Sequence, residues 1–175
     1  MGAFDAGQVV IREARPDDAA QMIAHMQTLA EEPDSMIVTG PGEFTLTVEE
    51  ERAILEADAK SDNSVFMVAE ANGQIIGLLD CSGGKRKANR HSTYLGISIR
   101  KEWRGQGVGT ALMVAAIEWA RGTGIITRME LEVFAHNARA IHVYEKCGFQ
   151  VEGTRRKAFY RDGQYIDSIT MALLF

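Results

Sequence analysis

Residues 103–110 read WRGQGVGT, followed directly by the apolar run ALMVAAIEWA. Glycines at 105, 107 and 109 are costly in any regular element, so the backbone here is bare for a reason. A glycine-rich turn entering a helix leaves the first N–H groups without partners. Together with the positive end of the helix they form a cradle for phosphate or diphosphate. Spacing tests which ligand is meant. A GxGxxG dinucleotide fingerprint starting at Gly105 needs glycine at 110, where Thr110 stands. A P-loop needs Ser or Thr after Gly84-Lys85, where Arg86 stands. Neither nucleotide signature is met.

A second group of residues lies further on, in ELEVFAHNARAIHVYEKCGFQVEGT. It holds Glu132 on an alternating stretch, Asn137 at a helix start, Tyr144 within that helix, and then Gly148-Phe149 before another strand. The pattern R-x-x-G-x-G from Arg104 through Gly107 to Gly109 resembles the acyl-coenzyme A signature of the GNAT superfamily of N-acyltransferases. Asn137, Tyr144, Gly148 and Phe149 resemble the second half of that family's core. The resemblance runs from residue 9 to 175. In EGTRRKAFYRDGQYIDSITMALL it extends to the subgroup of ribosomal-protein and small-amine or amino-acid acetyltransferases.

The resemblance implies a role for each residue. Ile97, Ser98 and Ile99 lend backbone groups to the pantetheine arm, as an added strand would. Gly105, Gln106, Gly107, Val108, Gly109 and Thr110 hold the pyrophosphate, chiefly through N–H groups, and Arg104 adds a side chain. Arg100, Lys101, Arg139 and Lys146 either meet the outlying phosphates or are solvated surface cations. Asn137 either caps its helix or contacts the pantetheine amide. Tyr144 is either a core tyrosine or the proton donor to the departing thiolate. A tyrosine near pKa 10 giving its proton to a thiolate whose acid is near 8.5 works uphill by roughly 2 kcal/mol. That points to a strengthening hydrogen bond or to a depressed tyrosine pKa.

An amine acceptor with pKa near 8 to 10 is largely protonated at neutral pH, so a base or a water chain to one is needed. Glu132 is the leading candidate for that base and otherwise a polar-face residue of its strand. Glu43, Asp80 and Asp167 are weaker candidates for base or for an amine-binding anion. Cys147 lies at a helix C-terminus, where the dipole disfavours a thiolate, and direct attack by the amine needs no protein nucleophile. His25, His91, His136 and His142 show no metal-ligand spacing, and no metal is expected.

These residues need elements to hold them. VVIRE reads as a strand, and RPDDAAQMIAHMQTLAEE as a helix opened by Pro16 with Asp17 and Asp18 near its positive end. Residues 33–44 read as a loop, and Thr47 with Glu50 as a capping box for a second helix. Asn72-Gly73 joins two strands in a hairpin, and Asp162-Gly163 joins two more. Between them come a basic loop (83–91), a strand over Ser92–Ile99, a helix from about Gly107 to Arg121 ended by Gly122 and Gly124, a strand over 128–134 and a helix capped by Asn137 and stopped by Gly148. The order β-α-α-β-β-β-α-β-α-β-β predicts a mixed α/β sheet. The resemblance makes it the α/β (α+β) GNAT fold: a mostly antiparallel sheet of six to seven strands, helices on both faces, one domain over 1–175.

Composition narrows the partners. At 175 residues, 46% hydrophobic and 25% charged, the chain can bury the core of one domain. A net charge of −5 and pI near 5.4 argue against non-specific nucleic-acid or membrane-surface binding. The N-terminus has no signal-peptide organisation and no Ser or Thr at position 6 for myristoylation. Cys81 and Cys147 have no framework spacing, which makes the cytoplasm the expected compartment. The resemblance therefore implies a cytoplasmic enzyme that moves acetyl from acetyl-coenzyme A directly to a primary amine of an amino acid, polyamine or aminated antibiotic. The acceptor would lie near segments 33–46, 82–91 and 155–167. A protein N-terminus or lysine is the alternative acceptor, and a catalytically silent coenzyme A-binding module is the alternative of another class. Family members often pair as homodimers, for which the closing hairpin offers a surface.

Overall fold

The computed structural model describes residues 9–175, so the readings made on residues 1–8 lie outside it. Strand β1 (Val9–Glu13) leads into a 3-10 turn at Pro16–Asp18 and helix α1 (Ala19–Ala30), followed by α2 (Val48–Asp58). Strands β2 (Val65–Ala71), β3 (Gln74–Gly83) and β4 (Ser92–Ile99) come next, then α3 (Val108–Thr123), β5 (Arg128–Phe134) and α4 (Ala138–Lys146). The hairpin of β6 (Gln150–Arg161) and β7 (Gln164–Leu174) closes the chain.

Local chemistry explains most boundaries. The N–H of Glu50 donates to Thr47 Oγ1 (3.2 Å) and the N–H of Thr47 to Glu50 Oε2 (2.8 Å), completing the capping box of α2. Both hairpins turn on residue pairs in the left-handed region: Asn72 and Gly73 at φ 50° and 73°, Asp162 and Gly163 at 50° and 77°. Three details depart from the sequence expectation. The first α-helix begins at Ala19, because Asp18 accepts the Arg15 N–H (2.7 Å) and pairs with Arg12 (2.7 and 2.8 Å). Gly122 lies inside α3, and only the left-handed Gly124 ends it. A short 3-10 turn, Lys101–Trp103, separates β4 from the glycine loop.

The sheet has seven strands in the order β1-β2-β3-β4-β5-β7-β6. Every neighbouring pair is antiparallel except β4 and β5. These two run parallel and are paired only at Ser92↔Arg128, Thr93↔Met129 and Tyr94↔Glu130. Beyond Tyr94 they part, β4 staying on β3 as far as Ile99↔Gly77 and β5 staying on β7 as far as Phe134↔Ser168. The result is a wedge-shaped opening in the middle of the sheet.

The core has a layer on each face. On one, α3 and α4 pack Leu112, Met113, Ala116 and Tyr144 against Leu79, Leu95, Leu131 and Val133. On the other, α1 and α2 pack Met22 and Leu55 against Val68, Ile75 and Leu78. Helices thus cover both faces, and the wedge connects them.

Candidate active site

The edges of the wedge follow from the hydrogen-bond phase of the two strands. Gly84 N–H donates to Ser92 O and Arg100 N–H to Ile76 O, both at 2.9 Å, so Tyr94, Gly96 and Ser98 bond to β3 as well. Alternation turns the backbone groups of Leu95, Ile97 and Ile99 into the wedge. On the other side, Ala135 N–H donates to Asp167 O (2.9 Å) and Phe175 N–H to Thr127 O (3.0 Å). Leu131 and Val133 therefore bond to β7, and Glu132 and Phe134 present their backbone to the opening.

This phase corrects one expectation. Ser98 cannot offer its backbone to a ligand in the wedge, because that backbone lies in the β3 ladder. Its hydroxyl meets His25 Nε2 at 3.0 Å instead. Among the described residues Ile97 has a partner for neither backbone group, whereas the Ile99 carbonyl accepts from Arg104 Nε (2.8 Å) and leaves only its N–H.

At the wide end of the wedge stands the glycine loop. Gly105 and Gly107 have φ of 77° and 89°, a conformation strained for any other residue, and Gly107 is the uncapped N-terminal residue of α3. Gly109 is helical, and a Cβ there would point into open space. Its glycine leaves the helix end bare. The first-turn N–H groups of Val108, Gly109 and Thr110 have no acceptor among the described residues. Gln106 is exposed, and its side chain donates to Glu102 O (2.6 Å). An apolar groove of about 560 Å³ lined by Gly107, Ala111, Val114 and Ala115 runs from this loop along α3.

The expected side-chain cation points elsewhere. Arg104 reaches back to Glu32 Oε2 (2.6 Å) as well as to the Ile99 carbonyl, tying the end of α1 to the end of β4. Its guanidinium is held in that tie, and the loop's own unpartnered donors among the described residues are backbone N–H groups. Lys101, Arg139 and Lys146 are exposed, and Arg100 is partly buried. None of these four joins an ion pair among the described residues.

Asn137 Oδ1 accepts the Ala140 N–H (3.2 Å), so in this state the side chain is the cap of α4. About two helical turns beyond Asn137, Tyr144 is 7% exposed and sits on the α3–α4 side of the wedge. Burial, followed by the neighbouring Cys147 and Tyr94, pushes its pKa up to about 12. The depressed tyrosine contemplated from the sequence is therefore corrected: the phenol here stays neutral. Cys147 is raised too, by burial, as suits a packing residue.

The α1–α2 face of the wedge carries the polar groups. Glu132 projects from β5, but both its oxygens accept from Arg155 Nη1 (2.6 and 2.5 Å), and Oε1 also accepts from the Ser168 hydroxyl. A carboxylate held by three contacts has few lone pairs left for a substrate proton. Tyr94, at the apex, feels the charges of Glu132, Arg155, Glu130 and Asp80, which places those groups around it. Asp80 faces the same space. Glu43 folds back on Gly40 N–H (2.7 Å), and Asp167 accepts from Lys157 N–H (2.7 Å).

Beyond the open end of β5 lies a cleft of about 640 Å³, walled by Asp34 and Met36 after α1 and by His136, Arg161, Tyr165 and Asp167. Segments 33–46 and 155–167 thus come together. Segment 82–91 does not, because it precedes β4 and sits at the closed end of the wedge. Sequence reasoning missed Gly96, Tyr94, Arg155 and Ser168. Only Gly96 carried a signal, an isolated glycine inside the strand STYLGISI, which marks a close approach. Among the described residues no three His, Cys, Asp or Glu side chains gather as a metal site.

Residues 26–149 match the model of the acetyltransferase (GNAT) family. The chain is 39% identical over 106 residues to the L-amino acid N-acetyltransferase AaaT of Escherichia coli, covering 61% of this chain and 65% of that protein. It is 33% identical over 100 residues to the ribosomal protein uS5 alanine N-acetyltransferase of the same organism, covering 57% and 51%. The matched stretch thus spans less than two thirds of either relative. The solved structure of a GNAT-family acetyltransferase from Streptococcus pneumoniae superimposes with a TM-score of 0.91 at 36% identity, covering 95% of this chain and 99% of that one.

Proposed function

The chain belongs to the GNAT family of acetyltransferases and has its fold, and from that premise we propose that it transfers the acetyl group of acetyl-coenzyme A to the primary amine of a small molecule, an amino acid foremost. The observation that carries this reading is the junction of a bare α3 N-terminus with a wedge whose edges expose unpaired backbone, and with a tyrosine hydroxyl behind it. Such a junction suits an elongated ligand with a diphosphate at one end and amide groups along its length.

Acetyl-coenzyme A, when bound, supplies an acyl carbon already activated as a thioester and a thiol leaving group. The chain supplies the rest. The N–H groups from Gly105 to Thr110 hold the diphosphate, with Arg139 and Lys146 positioned as exposed cations for outlying phosphates. Ile97 and the Ile99 N–H extend the β4 edge along the arm, and Asn137 contributes if it leaves its cap. Tyr144, neutral with a pKa near 12, is a proton donor only at a cost. Against a thiol near 8.5, full transfer is uphill by about 5 kcal/mol. Its part is a hydrogen bond that strengthens as charge grows on sulfur.

The acceptor amine enters from the α1–α2 face through the cleft between residues 33–36 and the β6–β7 hairpin. A volume of that order is within the range of small-molecule sites. The relatives named above are an L-amino acid N-acetyltransferase and a ribosomal-protein alanine N-acetyltransferase, so a peptide N-terminus is the alternative acceptor. The reading includes transfer with both substrates bound, a single domain, a cytoplasmic setting and pairing of two copies through β6–β7, whose Val151, Tyr160 and Tyr165 are exposed. The test is thermal shift with acetyl-coenzyme A, then thiol release across free amino acids, polyamines, aminoglycosides and short peptides. Absence of any shift removes the coenzyme reading. A shift without thiol release from any acceptor moves the protein to a silent binding module.

A further inference from the structure

Asp80 stands where the wedge begins, and nothing in the transfer scheme uses it yet. It pairs with Gly96, two residues past Tyr94, the last β4 residue paired to β5. Partners across an antiparallel pair share a face, so Asp80 and residue 96 both point to the α1–α2 side. A Cβ on residue 96 would lie 2.5 Å from Asp80 Oδ1 and 3.4 Å from its Cγ. The carboxylate therefore lies over the β4 backbone, in the space a side chain would fill. Gly96 is a window: the strand residue between Asp80 and the wedge has no side chain to block the path. Across the wedge, the competing carboxylate, Glu132, is held by Arg155 and Ser168.

On the acetyl-transfer reading, we propose that Asp80, its carboxylate lying over Gly96, takes the proton of the acceptor ammonium through one water on the wedge side of that carboxylate, and that Glu132 positions rather than deprotonates. The ammonium gives a proton to the water, and the water gives one to Asp80. The freed lone pair then attacks the thioester carbon. The C–N bond forms, the C–S bond breaks with its electron pair leaving on sulfur, and the second nitrogen proton passes to sulfur. Amide and thiol result, and Asp80 returns its proton to solvent.

The surroundings favour the role. Burial, then the nearby charges of Asp58 and Glu51 on α2, raise Asp80 against hydrogen bonds from its own backbone and Ser82, to a pKa of about 6. Glu51 and Asp58 are themselves raised, burial being the first cause for each, with Lys85 opposing the rise at Asp58. Tyr94, Glu132 with its partner Arg155, and His25 on α1 are the other titratable groups on that side. A base near 6 is ionised at neutral pH and retains basicity for proton relay.

The test measures kcat/KM for acetyl-coenzyme A and the best amine across pH 5 to 9, with coenzyme binding by thermal shift, for the wild type and for Asp80→Asn, Gly96→Ala and Glu132→Gln. Wild-type activity is expected to rise through a limb near pH 6. Asp80→Asn should lose that limb and fall by about 10²–10⁴-fold while its coenzyme shift persists. Gly96→Ala, which displaces the carboxylate without removing it, should fall likewise, and Glu132→Gln should keep the limb. An Asp80→Asn enzyme that keeps the limb and loses less than about tenfold overturns the assignment, as does a limb that vanishes in Glu132→Gln. A wild type without coenzyme shift or thiol release overturns the transfer reading, and this role with it.

Discussion

The α1–α2 face of the sheet buries two titratable groups whose effects on stability have opposite sign, and their separation is measurable. His25, 0% exposed between α1 and β4, is lowered from 6.5 to about 4, first by burial and then by Arg100 and Arg104. Asp80 is raised from 3.8 to about 6. A depressed histidine contributes stability that is complete above 6.5 and is lost as pH falls through 4. A raised carboxyl contributes stability that is complete below 3.8 and is lost as pH rises through 6. At 1.36 kcal/mol per unit each is about 3 kcal/mol, and between pH 4 and 6 they nearly cancel. The expected wild-type contribution from this pair is flat in that window. Asp80→Asn removes one side of the balance, so its melting temperature relative to wild type should climb by roughly 6–12 °C between pH 4 and 6. His25→Gln should show the mirror trend, gaining on wild type as pH falls from 6.5 to 4. Taking differences at each pH cancels all other titrations. Melting curves for the three proteins at half-unit steps decide the matter. A constant Asp80→Asn difference across the window refutes the claim that this carboxyl is buried and raised.

Tyr144→Phe should lower kcat by about 10²-fold, the low end for a lost proton-transfer partner, with the acetyl-coenzyme A shift intact; loss of binding instead would make Tyr144 a packing residue. Gly107→Ala should cost about 1–2 kcal/mol of stability, because φ 89° is strained for alanine, and should weaken coenzyme binding as well. Arg104→Ala should lower melting temperature and change coenzyme affinity by less than about tenfold, since its partners are Glu32 and Ile99 rather than phosphate; Glu32→Gln should reproduce the stability loss. Arg155→Ala frees Glu132 and should raise the acceptor KM while leaving the coenzyme shift unchanged, read by titrating each substrate separately.

Local rules carried the sequence a long way. Asn72-Gly73 and Asp162-Gly163 each have the conformation a two-residue turn requires, Thr47 and Glu50 close their box, and Asn137 caps its helix, because these preferences depend on a few neighbouring residues. The glycine loop was legible for the same reason: positive φ at Gly105 and Gly107 and a bare helix end are local properties. Periodicity, caps and turn residues supplied the order of elements, and the resemblance supplied the family. What no local rule contains is distance between remote segments. Arg104 directly precedes the glycine loop, yet its guanidinium goes to Glu32, which the fold brings to the end of β4. Ser98 was read as a wedge residue, but the phase of the β3–β4 ladder turned its backbone away. Glu132 is from sequence either the leading base candidate or a polar-face residue, and only β6 and β7 bring it Arg155 and Ser168. Asp80 gained its place only when Gly96 lay opposite. The sequence by itself determined the donor-side loop, the turns and the caps, because backbone conformation is set locally. The tertiary structure alone decided which charged groups face the wedge and which neutralise one another, because ion pairing, burial and strand phase are properties of segments far apart in the chain.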